Sequence, residues 1–131
     1  MREVLPEFID WCGDALLVGH FVSLDLAFLN RAAKRLLGGP ICNPAMDTMR
    51  LARAYEEQQW RNYYDRFNLG MSFNLGALAK RYGLPLFEQH DALEDAFQTA
   101  CLFLFLVKRI RGAGCETLRE VNQAGRVNRA F

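Results

Sequence analysis

The run Asp14-Ala15-Leu16-Leu17-Val18-Gly19-His20, which follows Gly13, constrains this chain more than any other stretch. A short apolar run between glycines reads as a buried strand, the kind that sits within a sheet covered on both faces. Such a strand needs neighbours. The one other strand candidate, Ile41-Cys42-Asn43-Pro44-Ala45-Met46, is weaker, because Pro44 removes a ladder donor and argues for an edge or a short strand. Everything else is helical in pattern. Leu5, Phe8, Ile9 and Cys12 mark a helix over about 3–12 that Gly13 ends. Ser23 is the expected N-cap of a helix running to about Leu37, stopped by Gly38-Gly39-Pro40, and another helix starts near Thr48. From about Gln58 to Met71 no period holds, and a loop or short irregular helix is expected. Asn74 caps the next helix, which stops at Tyr82-Gly83-Leu84-Pro85 in a Schellman-type turn. The longest helix spans about Ala92 to Arg111, and its run Ala100 to Val107, apolar all round, predicts burial on more than one face. Thr117 caps a last helix to about Gly125, followed by a basic tail. The result is an α/β chain whose sheet is too small for its helices: something that should lie beside Leu16-Leu17-Val18 is missing.

At 131 residues the chain makes one domain, and 51% apolar with 24% charged residues is a soluble globular composition. No apolar run approaches the roughly 20 residues that span a bilayer, and Glu3 and Pro6 interrupt any signal-peptide pattern, so a cytoplasmic protein with no membrane partner is expected. Cys12, Cys42, Cys101 and Cys115 have no C-x-x-C spacing and read as reduced, buried small hydrophobes. A net charge of +1 confines any nucleic-acid binding to one local face.

Two constellations carry chemistry. In His90-Asp91-Ala92-Leu93-Glu94-Asp95-Ala96 a histidine stands just before a helix and a carboxylate, Asp95, lies in its first turn. That pair suits a general base and a metal ligand. Asp91 and Glu94 equally have the D-x-x-E spacing of a reciprocal helix cap. The second cluster, Leu17-Val18-Gly19-His20-Phe21-Val22-Ser23-Leu24-Asp25, sets Asp25 at a helix start just beyond the carboxyl end of the strand, the edge where open α/β sheets bind ligands. Asp25 alone is also explained by the helix dipole, and His20 alone as a satisfied residue closing a strand.

Together the two clusters resemble a known family. Leu-Val-Gly-His-x-x-x-x-Asp-Leu-x-Phe-Leu-Asn from Leu17, and His90-Asp91-Ala92-Leu93-x-Asp95-Ala96, are similar to the second and third motifs of the DEDDh 3′-to-5′ exonucleases. This DnaQ-like group includes the proofreading epsilon subunit of bacterial DNA polymerase III. Met46-Asp47-Thr48-Met49-x-Leu51-Ala52-Arg53 and Leu75-x-x-Leu78-x-x-x-Tyr82-Gly83-Leu84-Pro85 resemble the intervening segments, so the likeness covers about residues 5–110 in order. It implies a ribonuclease H-like exonuclease fold. It makes Asp25 and Asp95 ligands of Mg²⁺ or Mn²⁺, and His90 the base that deprotonates the water attacking a 3′-terminal phosphodiester. Two such ions, roughly 3.5 to 4 Å apart, activate the nucleophile and stabilise the leaving oxygen. The loop positions His20 and Phe21 become candidate nucleic-acid contacts, and a single-stranded 3′ end of DNA or RNA the expected substrate.

Two departures qualify the likeness. The family usually has His-Asn and a phenylalanine just before the aspartate, where this chain has His20-Phe21 and Leu24. More seriously, no Asp-x-Glu precedes Asp25, so two of the family's four metal-binding acids have no counterpart. The expected fold is thus an exonuclease domain truncated at its amino end, lacking the first three strands: a helix-rich remainder with two short strands and half a metal site. Its bare strand invites a missing amino-terminal segment or a second copy of the chain. The competing reading is a non-catalytic nucleic-acid-binding or protein-interaction remnant. For that reading Trp60-Arg61-Asn62-Tyr63-Tyr64-Asp65-Arg66-Phe67 offers aromatic rings to stack on unpaired bases, unless those rings tuck onto the core.

Overall fold

The computed structural model describes residues 2–61, 72–88, 90–112 and 117–127. In chain order these form α1 (Val4–Cys12), β1 (Leu17–Gly19), α2 (Val22–Leu37), β2 (Ala45–Asp47), α3 (Thr48–Arg61), α4 (Leu75–Arg81), α5 (Ala92–Gly112) and α6 (Leu118–Gly125). Helix α3 carries regular structure to Arg61, beyond the point where the pattern predicted a loop. Residues 62–71 of the aromatic stretch lie outside the described residues.

β1 and β2 pair in parallel, with Leu17 opposite Ala45, Val18 opposite Met46 and Gly19 opposite Asp47. The second strand starts after Pro44, which therefore interrupts no ladder; its carbonyl accepts from Leu17 N–H at 2.9 Å. The far edge of β2 is closed by an antiparallel bridge between Met46 and Arg126. Gly125 makes that approach possible, since a Cβ there would come within 2.5 Å of Met46 Cγ and 2.8 Å of Leu51 Cγ. Among the described residues no strand pairs with the other edge of β1.

Helix α5 is the spine. Its Leu102, Leu106 and Ile110 are buried with Met46 from β2, Leu51 and Ala52 from α3, Leu78 from α4 and Val121 from α6. A smaller cluster of Leu5, Ala33 and Ile41 fastens α1 onto α2. The expected cover of the run Ala100 to Val107 is present in part: Leu102 and Leu106 are buried and Phe103, Phe105 and Val107 pack against the core, while Leu104 is bare. Leu93 and Leu104 are 67% and 68% exposed, and Phe97 is exposed beside them. Helix α5 packs on α3, α4, α6 and β1, and its Phe103 and Leu104 line the trough that opens beside Val18 of β1. Exposed Phe21, Leu24 and Phe28 of the α2 segment form a second apolar ridge.

Caps follow the sequence in part. Asn74 Oδ1 accepts from Ala77 N–H at 2.8 Å, and Thr117 with Glu120 forms a full capping box. Gly83, at φ 67°, completes the Schellman turn after α4: Leu84 N–H reaches Ala79 C=O at 2.9 Å and Gly83 N–H reaches Lys80 C=O at 3.2 Å. Asp91 caps α5 through Leu93 N–H at 3.0 Å and Glu94 N–H at 3.1 Å. The reciprocal half is absent, because buried Glu94 Oε2 finds no partner. Ser23 is not the cap of α2. Phe21 occupies that position in the left-handed region, φ 52°, with no side-chain cap of its own. Of the cysteines, Cys12 is buried, Cys101 half-buried and Cys42 exposed, so the expectation of burial fails at Cys42 on the loop before β2; all three are free thiols. Cys115 lies outside the described residues.

Candidate active site

Both constellations open on the trough beside β1. Asp25 lies in the first turn of α2 and Asp95 in the first turn of α5, each where helix N-termini favour a carboxylate. They line one cavity of about 760 Å³ together with Val18, His20, Phe21 and Thr99. Asp25 is exposed and Asp95 half-buried. A second cavity of about 240 Å³ adjoins it and holds His90, Asp95, Phe87 and Gln98. Asn74 and Leu75 line both. Asp95 therefore faces Asp25 across one space and His90 across the other, and residues far apart in sequence meet at one sheet edge.

Local chemistry fixes these positions. His90 is exposed and sits in the left-handed region at φ 73°, a turn that sets its side chain at the rim just before the Asp91 cap. Buried Gln98 holds the approach: its Nε2 donates to Pro85 C=O at 2.9 Å and its Oε1 accepts from Phe87 N–H at 3.2 Å, tying the segment before His90 to α5. Thr99 Oγ1 donates to Asp95 C=O at 2.8 Å.

On the strand side, Asp47 is buried at the end of β2 and accepts from Phe21 N–H at 3.1 Å and from Met49 N–H at 2.9 Å. One carboxylate thus caps α3 and pins the loop that carries Phe21 into α2. His20 is engaged at both ring nitrogens: Nε2 donates to Phe73 C=O at 2.6 Å, and Nδ1 lies 2.7 Å from Thr48 Oγ1. Burial holds its pKa below the ordinary histidine value, against the opposing pull of the Phe73 carbonyl and the Asp47 charge. Phe21 is different: its ring is exposed and meets His20 edge-on at 4.8 Å between centroids.

Among the described residues no group of three or more His, Cys, Asp or Glu side chains converges. The two carboxylates at the first cavity are hard oxygen donors, suited to Mg²⁺ or Mn²⁺, yet short of a full shell.

The exonuclease family model, RNase_T, matches residues 1–103. The chain belongs to the exonuclease family. This exonuclease domain is also 33% identical over 123 residues to the PolC-type DNA polymerase III of Staphylococcus haemolyticus, and equally so to those of Staphylococcus epidermidis and Staphylococcus aureus. The match covers 94% of the domain and 8% of each relative, so the chain spans a small part of their length. No solved structure matches it.

Sequence reading of this exonuclease domain named Asp25, His90 and Asp95, which line the two adjoining cavities. It missed Asp47, Thr48, Asn74 and Gln98 as parts that shape the site. Asp47 carried a signal, an acid directly before a helix start at Thr48, as N-caps do. Gln98 carried none, since a glutamine within an amphipathic helix reads as surface.

Proposed function

We propose that this exonuclease domain acts on the 3′ end of a single nucleic-acid strand by metal-assisted hydrolysis of the terminal phosphodiester. The observation that carries the reading is the cavity shared by Asp25 and Asp95, with His90 and Asp95 lining the cavity next to it. Asp25 and Asp95 would hold a divalent ion, Mg²⁺ or Mn²⁺, which would supply Lewis-acid polarisation of the terminal phosphate. His90, exposed at the rim, takes the proton of the attacking water on a ring nitrogen. Phe21 offers an exposed ring for the terminal base to stack on, and His20 supports that ring from below.

The edge of β1, unpaired among the described residues, and the exposed α5 side of the trough favour a site completed by a further strand, which would supply the remaining acids. That strand comes from an additional amino-terminal segment or from a second copy. The chain by itself is accordingly half of the metal site. The second reading, a binding module without catalysis, is favoured by the same shortage of acids.

A single strand labelled at its 5′ end, incubated in Mn²⁺, separates these. The chain is expected to bind the strand in a metal-dependent way, to lose that binding in Asp25→Asn and Asp95→Asn, and to leave the strand intact. Stepwise shortening from the 3′ end, abolished in His90→Ala and Asp95→Ala, would keep the reaction and overturn the half-site. Equal binding with and without metal, in all variants, would favour the binding module.

A further inference from the structure

We propose that His20 is a positioning residue, whose ring clasps the Phe73 carbonyl and so seats Asn74 and Leu75 as the wall common to both cavities. The proposal rests on the reading of those cavities as the strand-end cleft, and assigns His20 a part in it that involves no contact with substrate.

The chemistry at the ring sets its form. A carbonyl oxygen only accepts, so the 2.6 Å contact with Phe73 requires a proton on Nε2. In the neutral ring Nδ1 is then an acceptor, and the hydroxyl of Thr48 at 2.7 Å is its donor. Thr48 is fully buried and has no access to water; the other acceptor near its Oγ1 is Gly19 C=O at 3.3 Å. The ring therefore ties the segment entering α4 to the end of β1 and the first residue of α3, which the contact of Thr48 Oγ1 with Gly19 C=O already brings together. From Phe73 the chain passes directly to Asn74, whose side chain caps α4 and whose surface faces Asp25 and Asp95 in one cavity and His90 in the other. Arg53 stacks over the Phe73 ring at 5.5 Å from its centroid, so the Phe73 side chain is held independently of its carbonyl. What His20 adds is the backbone anchor.

Two substitutions divide the clasp. The amide nitrogen of a glutamine reaches the position of Nε2 and can still donate to Phe73, whereas an asparagine reaches only the position of Nδ1 and keeps Thr48 alone. Amide hydrogen exchange at Ala77 and Leu78, the two groups bonded to Asn74, reads the anchor with no substrate present. His20→Asn is expected to speed exchange there by about tenfold, with Leu102 and Leu106 in α5 unchanged, and His20→Gln to restore it to within about twofold. Metal-dependent binding of a 3′-ended strand in Mn²⁺ should weaken in His20→Asn and return in His20→Gln. Equal exchange at Ala77 and Leu78 in all three proteins overturns the clasp. So does uniform acceleration throughout the chain that glutamine does not rescue. The exchange pattern without any change in strand binding overturns the cleft reading instead. Nitrogen NMR of the wild-type ring needs no variant: a proton on Nε2 and none on Nδ1 at neutral pH supports the clasp, and the opposite tautomer rules it out.

Discussion

Asp47 Oδ1 accepts the backbone N–H of Phe21 at 3.1 Å, from a carboxylate that is 1% exposed. Phe21 sits in the left-handed region and caps α2 without a side-chain acceptor, so this bond from the neighbouring strand holds the turn that delivers Asp25. Asp47→Ala removes the acceptor for Phe21 and for Met49 together and leaves two donors short of partners. A loss of about 2 to 4 kcal/mol in urea unfolding is expected, with Asp47→Asn, which keeps one acceptor oxygen, closer to the wild type. Equal stability of the wild type and Asp47→Ala would mean the turn holds without it.

Acid should weaken the fold through His20. Burial lowers its pKa in the folded chain below the ordinary value of about 6.5, so the unfolded chain binds the proton more readily. The sign follows: stability is full above that ordinary value and is lost as pH falls from there through the folded pKa. Phe73, Thr48 and Asp47 face the ring, and the Asp47 charge moderates the shift. Urea midpoints between pH 7 and 5 should fall in the wild type and fall less in His20→Gln. Parallel curves would place the titration elsewhere.

A second buried acid predicts an asymmetry between the two ends of one ion pair. Glu56 on α3 is 3% exposed and takes Arg81 in a fork, with Nε at 2.7 Å and Nη2 at 3.0 Å, while Arg81 itself is 41% exposed. Tyr82 O–H adds a third bond at 2.8 Å, and burial followed by that bond pushes the phenol pKa upward. Arg81→Met strands a buried charge, whereas Glu56→Met leaves an arginine that can turn to water. The first should destabilise by about 2 to 4 kcal/mol and the second by clearly less, measured by chemical unfolding. The reverse order would contradict the burial argument.

The edge of β1, unpaired among the described residues, and the exposed apolar side chains Leu93, Phe97 and Leu104 with Phe21, Leu24 and Phe28 should make the chain associate with itself. Light scattering at micromolar concentration is expected to give a mass that rises with concentration, and Leu104→Lys to lower it toward the monomer. A strictly monomeric, well-folded wild type counts against this.

How much was legible in the sequence follows from how local each signal was. The helices α1, α4, α5 and α6 are announced by their own periodicity and caps, as with Asn74, Gly83 and Thr117. The parallel pair of β1 and β2 followed from one glycine-bounded run and one weaker one, and the shortage of sheet was visible from counting. That Asp25, His90 and Asp95 line adjoining cavities was legible because both of their motifs sit at helix starts next to a strand end or a turn. What escaped depended on distant partners. The Phe21 cap of α2 displaced Ser23 because Asp47, on another strand, holds its amide. Leu104 read as core and is exposed, because hydrophobicity records what a residue prefers to touch and not whether a neighbour is present. The burial of Glu56 carried no local signal, since its partners Arg81 and Tyr82 lie at the far end of α4.

Titration of the chain with Mn²⁺, followed by calorimetry or by the ion's paramagnetic signal, tests the central claim most directly. The account predicts about one ion per chain, bound loosely because two carboxylates leave most of its shell to water, and lost in both Asp25→Asn and Asp95→Asn while His90→Ala retains it. Two ions per chain, or a single ion that persists in both aspartate variants, would contradict it.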